Sequence, residues 1–161
     1  MNLFDFAMKM ELDGKACYEG FAEQTPHAGL RAIFTSLAAD EQKHYDVVIA
    51  LKSGEESFLA ETTVLDAAKS VFQGLAQDAN LLGSMHRSLD GYHFAMKIEA
   101  ESARLYEDMA SREARAGTAA LLRKIAEEEK KHYNIMENLY DLVLAPQTYL
   151  AWGEFSNLKE F

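Results

Sequence analysis

The sequence predicts an all-α protein, a four-helix bundle made of two related helical hairpins. Residues 7–51 align without a gap with residues 95–139, and 16 of the 45 aligned pairs are identical, where unrelated sequences would share roughly three. Apolar residues recur at three- and four-residue steps along four long stretches, which is the spacing of amphipathic helices. With only 2 Pro and 9 Gly in the chain, little in the sequence would interrupt such helices.

The four helices follow from this spacing and from the turn residues between the stretches. Pro26 separates the first helix from the second, Ser53-Gly54 closes the second, and Pro146 ends the fourth. Ser88 or Asp90 can cap the third helix. The predicted helices cover residues 3–25, a second stretch ending at residue 52, residues 88–112 and residues 118–144. The hairpin repeats therefore occupy residues 3–52 and 88–144 of a single domain, residues 1–161.

The segment between the hairpins and the chain end have no counterpart in the repeat. Residues 53–87 form a long crossover, because the last helix of one hairpin must be joined to the first helix of the next across the bundle. Helical spacing over residues 64–82 predicts a short helix there, with Gly74 as a weak point. The tail, residues 145–161, carries three aromatic residues and is expected to dock on the body or on a second subunit: Tyr149, Trp152 and Phe155.

Composition excludes several classes of function. The formal net charge of −10 and the pI near 4.9 argue against nucleic-acid binding, which needs a basic surface. The N-terminus does not read as a signal peptide, and no stretch reaches the roughly 18 apolar residues of a membrane span. We therefore expect a cytoplasmic protein without a membrane partner.

Cys17 is the only cysteine and is interpreted as a small apolar core residue, so no disulfide or cysteine-based zinc site forms within one chain.

A Glu-x-x-His pair occurs once in each half of the repeat, and a further Glu precedes it on the first helix of each hairpin. All of these residues interrupt otherwise apolar helix faces, where an ionised carboxylate costs several kcal/mol unless it is compensated. Lys15 lies near but has no equivalent in the second half, where Ala103 stands. Two divalent cations would balance four carboxylates, and oxygen with imidazole ligands suits iron or manganese, with zinc as a substitute. The predicted metal ligands are Glu11, Glu41, His44, Glu99, Glu129 and His132.

Other polar and aromatic residues near these positions leave alternatives open. Tyr18 and Tyr106 follow the first Glu of each half by seven residues, so each is either a hydrogen-bond donor to a ligand carboxylate or a plain core aromatic. Tyr45 and Tyr133 are interpreted as packing residues. Three histidines without a partner in the repeat are interpreted as surface or incidental residues: His27, His86 and His93. Four Glu residues are assigned to the solvent-exposed face: Glu101, Glu107, Glu127 and Glu128.

These motifs resemble those of the rubrerythrin group of ferritin-like di-iron carboxylate proteins. The resemblance is carried by MELDGKACY with DEQKHY in the first half and by IEAESARLY with EEEKKHY in the second. It implies a ferritin-like bundle in which two Glu residues and two Glu-x-x-His pairs project inward. It also implies specific roles for the six residues: Glu11 and Glu99 as terminal ligands, Glu41 and Glu129 as bridges, and one nitrogen each from His44 and His132.

The resemblance further implies an oxidoreductase that reacts with hydrogen peroxide or dioxygen in oxidative-stress defence or iron handling. Full-length rubrerythrins are similar to peroxidases and draw electrons from an attached rubredoxin domain with four cysteines. This chain has one cysteine, so the resemblance implies an external electron donor such as a separate rubredoxin-like protein. An extra Glu usual in that group is replaced here by Ser102, which leaves a symmetric six-ligand site. A ferritin-type storage protein and a structural zinc site are the alternatives, and a homodimer is expected.

Overall fold

The computed structural model describes residues 2–146 as a set of helices joined by short connections, with no strand in that range. Four helices are long and form two antiparallel hairpins, α1 with α2 and α5 with α6. The predicted all-α class is confirmed. The elements are α1 Leu3–Gln24, α2 Ala28–Lys52, α3 Val64–Leu75, α4 Ala79–Ser84, a 3₁₀ helix Met85–Ser88, α5 Leu89–Arg112 and α6 Ala116–Leu144.

The crossover differs from the predicted single helix over residues 64–82. α3 ends at Leu75, and a turn follows in which the Asp78 N–H donates to the Leu75 carbonyl at 3.0 Å. The Asp78 carboxylate then accepts from the N–H of Leu81 at 3.0 Å and caps α4. A strong N-cap residue inside the helical pattern therefore starts a new helix, which periodicity alone does not reveal.

Helix ends explain two further differences from the sequence-based assignment. His27 is not incidental, because its Nδ1 accepts from the N–H of Leu30 at 3.1 Å and caps α2. α5 continues directly from the 3₁₀ helix, so Ser88 precedes it without a side-chain capping bond. Gly54 adopts a φ of 79° after α2, and the N–H of the next residue reaches back to the Ala50 carbonyl at 2.9 Å, the bond pattern of a helix ending in a left-handed residue.

Two apolar cores lie on either side of a charged layer in the middle of the bundle. The first core joins α1, α2, α5 and α6 to α3, whose Phe72 and Leu75 are fully buried. The second lies towards the other end of the bundle and includes Leu59 of the crossover. α1 runs antiparallel to α5, since Ser102 lies beside Met10 and Gly91 beside Phe21. This packing brings the middle turns of all four long helices to one place.

Among residues 2–146, no helix is long and apolar enough to cross a membrane. The aromatic residues Tyr149, Trp152 and Phe155 of the predicted tail lie outside the described residues.

Candidate metal centre

The structure brings the six residues predicted as metal ligands together in the charged layer. Each lies near the middle of a long helix, one Glu on α1 and on α5 and a Glu-x-x-His pair on α2 and on α6. Their side chains are 1% exposed or less, which is rare for carboxylates. They form two overlapping groups whose ligand atoms lie within 4.8 Å of one another: Glu11, Glu41, His44 and Glu129 in one, and Glu41, Glu99, Glu129 and His132 in the other.

The His44 ring turns its Nδ1 towards three of these carboxylates. The Nδ1 lies 3.0 Å from Glu129 Oε1, 3.4 Å from Glu11 Oε1 and 3.9 Å from Glu41 Oε1. None of these contacts has hydrogen-bond geometry, and the buried Nδ1 atom has no hydrogen-bond partner among residues 2–146. A ring nitrogen and several carboxylate oxygens therefore converge without a hydrogen bond between them, an arrangement that suits a cation.

The His132 ring faces the second group, and there its Nδ1 is hydrogen-bonded to Glu41 Oε1. Its Nδ1 lies 2.8 Å from Glu41 Oε1, 3.2 Å from Glu99 Oε2 and 3.5 Å from Glu129 Oε1. The two imidazole rings lie nearly parallel, with centroids 5.8 Å apart. Buried carboxylate oxygens without a hydrogen-bond partner remain on all four Glu residues: Glu11 Oε1, Glu41 Oε2, and both oxygens of Glu99 and of Glu129. Buried polar atoms are normally satisfied, so this concentration fits a bound metal.

Crowding of four carboxylates in the protein interior shifts their proton affinities strongly. Burial and the charge of Glu129 raise the pKa of Glu99 to about 8, and the same causes raise the pKa values of Glu11 and Glu41. Burial also acts to raise the pKa of Glu129, but the adjacent His44 and His132 rings outweigh it and lower that pKa to about 2. Without cations, the cluster therefore takes up protons, which metal ions displace when they bind.

Two buried carboxylates hold the outer nitrogens of the histidine rings. The Nε2–H of His44 donates to Glu128 Oε1 at 2.8 Å, and the Nε2–H of His132 donates to Asp40 Oδ2 at 3.0 Å. Each acceptor comes from the opposite hairpin. These bonds place a proton on Nε2 of each ring and turn Nδ1 towards the cluster, the usual arrangement around metal-binding histidines.

The assignment of Glu128 to the exposed surface was therefore wrong, and Asp40 was missed. Glu128 is 3% exposed and Asp40 4% exposed. Both directly precede the Glu of a Glu-x-x-His pair, and they occupy equivalent positions in the repeat. An acidic residue at this position in both halves was the signal that the sequence offered. Only the close approach of α2 to α6 buries the position. The assignments of Glu101, Glu107 and Glu127 to the exposed surface hold.

The two buried tyrosines behave differently. The Tyr106 hydroxyl donates to Glu11 Oε2 at 2.5 Å. Of the two interpretations of this residue, the hydrogen-bond donor to a predicted ligand carboxylate therefore fits Tyr106. Tyr18 is equally buried, but its hydroxyl has no hydrogen-bond partner in the described part of the chain. Its ring packs edge-on against His132 at 6.5 Å.

Gly14 and Lys15 also shape the surroundings of the cluster. A Cβ on Gly14 would lie 2.7 Å from Glu41 Oε2, so a larger residue at this position would displace that carboxylate from where it lies. Lys15 donates to Gln42 Oε1 at 2.8 Å. Its ammonium group is thus bound outside the cluster and compensates none of the buried carboxylates.

The sequence model of the rubrerythrin family matches residues 2–140. The chain belongs to the rubrerythrin family. The predicted resemblance is thereby confirmed over most of the chain. No curated protein matches the sequence, and no solved structure matches the fold. For a rubrerythrin-family bundle, the buried carboxylate and imidazole cluster suggests a metal site.

Proposed function

We propose that the protein is a dinuclear-metal oxidoreductase of the rubrerythrin type. The observation that carries this proposal is the pair of overlapping groups at the bundle centre, each with three carboxylates and one imidazole. Their ligand atoms converge in a fully buried layer where many have no hydrogen-bond partner. In an apolar interior such atoms are costly unless the carboxylates take up protons or bind cations, and two cations would satisfy several of these atoms at once.

The distribution of ligands supports two metal positions. Glu11 and His44 belong to one group only, Glu99 and His132 to the other only, and Glu41 and Glu129 to both. The first four would therefore be terminal ligands, and the last two would bridge. Oxygen and nitrogen donors without thiolate suit iron, with manganese or zinc as possible occupants.

The six residues would hold two ferrous ions, which would supply one electron each, enough to convert one hydrogen peroxide and two protons into two water molecules. The contribution of the chain is positioning and exclusion of water. Asp40 and Glu128 orient the two imidazole rings, and Tyr106 holds Glu11 through its hydroxyl. The apolar cores above and below the layer limit contact with bulk water.

Repeated turnover would require electrons from a donor outside the helical bundle, and a separate rubredoxin-like protein is the expected donor. The buried Ser102 on α5, where rubrerythrins usually carry an extra Glu, supports a six-ligand centre. Oxidative-stress defence or iron handling is the corresponding role. The homodimeric state and the cytoplasmic location stay predictions from the sequence.

Anaerobic loading with ferrous ions, followed by rapid mixing with peroxide, tests the proposal. We expect two irons per chain and stoichiometric oxidation much faster than that of free ferrous ion. Glu41→Gln should lose this reaction, whereas the exposed Glu101→Gln should retain it. Oxidation at the rate of free ferrous ion, with two irons bound, would instead indicate a metal-binding or storage protein of the ferritin type.

A further inference from the structure

The connection between α2 and α3 lies across the side of the bundle where α2 and α6 meet. Leu59 is 2% exposed and packs with the second core. The ammonium group of Lys124 on α6 donates to the Leu59 carbonyl at 2.6 Å, pairs with Glu61 Oε1 at 3.3 Å and lies 5.9 Å from the ring centroid of Phe58. The connection is therefore anchored to α6 shortly before it reaches the level of the metal centre.

Thr62 links this connection to the centre. Its hydroxyl donates to Asp40 Oδ2 at 2.6 Å and accepts from the N–H of Val64 at 3.3 Å. The same Asp40 oxygen accepts from the Nε2–H of His132. A hydrogen-bonded chain thus runs from the anchored crossover through a buried carboxylate to a ring whose other nitrogen faces the cluster.

The other histidine has no such connection. Glu128 holds His44 in the way that Asp40 holds His132, but Glu128 Oε2 is buried without a hydrogen-bond partner in the described residues. The crossover occurs once in the chain, whereas the hairpins occur twice. Within residues 2–146, only one of the two proposed metal positions is therefore supported from outside the bundle in this way.

We propose that Thr62 is a positioning residue that holds His132 through Asp40 and so supports the metal position formed with Glu99. The inference rests on the proposed dinuclear centre, and it concerns one position of the two. A carboxylate that accepts two hydrogen bonds on one oxygen has little freedom to rotate. Its partner ring is then kept at the angle from which Nδ1 can ligate, and loss of outer partners of this kind weakens metal binding by roughly 10- to 100-fold.

Cobalt titration of the metal-free protein provides the first test. Thr62→Val keeps the side-chain shape but removes the donor, and we expect one of two cobalt ions to bind about tenfold more weakly. Thr62→Ser restores the hydroxyl and should recover most of the affinity. Thr63→Val is the matched control, because exposed Thr63 precedes α3 without a side-chain capping bond, and it should bind both ions as the wild type does.

Proton NMR of the cobalt-loaded protein locates the effect. The ring N–H resonance displaced by Asp40→Asn belongs to His132, and the one displaced by Glu128→Gln belongs to His44. Thr62→Val should displace the His132 resonance and leave that of His44 in place. A Thr62→Val protein with both resonances and both affinities unchanged overturns the role of Thr62 while the dinuclear centre stands. A wild type that binds no metal overturns both proposals.

Discussion

The two hairpins of this rubrerythrin-family protein supply the same kinds of ligand but surround them differently. Tyr106 of the second hairpin donates to Glu11 of the first, whereas the hydroxyl of Tyr18 reaches no partner in the described residues. Gly14 leaves room for Glu41, while its equivalent in the second hairpin is the buried Ser102. Duplication therefore explains the ligand set, and substitutions at neighbouring positions make the two halves of the site unequal.

The two hairpins also differ in the proton affinity of equivalent carboxylates. Glu41 and Glu129 are equivalent in the repeat, yet burial and three neighbouring carboxylates raise the pKa of Glu41 while both histidine rings lower that of Glu129 to about 2. Glu129 Oε1 lies within 3.5 Å of both imidazole Nδ1 atoms. Equal residues at equal positions thus differ in proton affinity, which is raised for Glu41 and lowered for Glu129.

The largest expected effect comes from removing a shared ligand and comparing it with a ligand of one group. Glu129→Gln should abolish binding of both metal ions, because Glu129 belongs to both groups. Glu99→Gln should leave one ion bound. Metal content after loading and dialysis measures both, and equal losses from the two variants would contradict two overlapping sites.

The next effect is a pH dependence of stability in the metal-free protein. Because the pKa of Glu99 is about 8 in the folded state against 4.5 ordinarily, the native state holds an extra proton between these values. The free energy of unfolding should therefore fall as pH rises from 5 to 8, by about 1.4 kcal/mol per pH unit for one such group. The raised pKa values of both histidines act in the same direction above pH 6.5.

Urea unfolding of chelator-treated protein at several pH values measures this dependence. Glu99→Gln should flatten the slope, whereas Glu101→Gln, which changes an exposed carboxylate two residues away, should not. Bound metal should remove the decline, since metal ions displace the extra protons. A metal-free protein that becomes more stable between pH 5 and 8 would contradict the protonation of the cluster.

A smaller effect should separate the two tyrosines. Tyr106→Phe removes a buried hydrogen bond to a carboxyl group and should lower the free energy of unfolding by about 1.5–3 kcal/mol. Tyr18→Phe removes a hydroxyl without a partner in the described residues, so it should be close to neutral or stabilising. Thermal or urea unfolding compares them under one set of conditions. Equal losses would show that Tyr18 also donates to the cluster.

The smallest change adds one methyl group beside Glu41. Gly14→Ala places a Cβ 2.7 Å from Glu41 Oε2, whereas nothing lies within 4 Å of a Cβ on Gly20 in the same helix. Gly20→Ala should stabilise the protein by roughly 0.5–1 kcal/mol through helix propensity. Gly14→Ala should lose that gain and bind metal more weakly, as isothermal titration would show. Equal gains in stability with unchanged metal affinity would mean that Glu41 moves aside freely.

Most of the fold was readable in advance because it depends on local patterns. Apolar spacing and the 88-residue offset predicted four long helices within two residues of their observed limits. The crossover was less predictable, since a single capping residue, Asp78, divides its helical pattern in two. One capping hydrogen bond decides whether the chain continues a helix or starts a new one, and apolar periodicity does not reveal such a bond.

The sequence by itself determined which residues are the candidate metal ligands, because acidic side chains on apolar helix faces stand out without coordinates. Only the tertiary structure decided which neighbours support them. Asp40, Glu128 and Thr62 look like ordinary surface residues along the chain, and their roles arise from contacts that span 22 to 92 positions. Helix periodicity identifies the residues at the centre of the buried face. Whether a residue at the border of that face is buried depends on how closely the next helix and the crossover approach it.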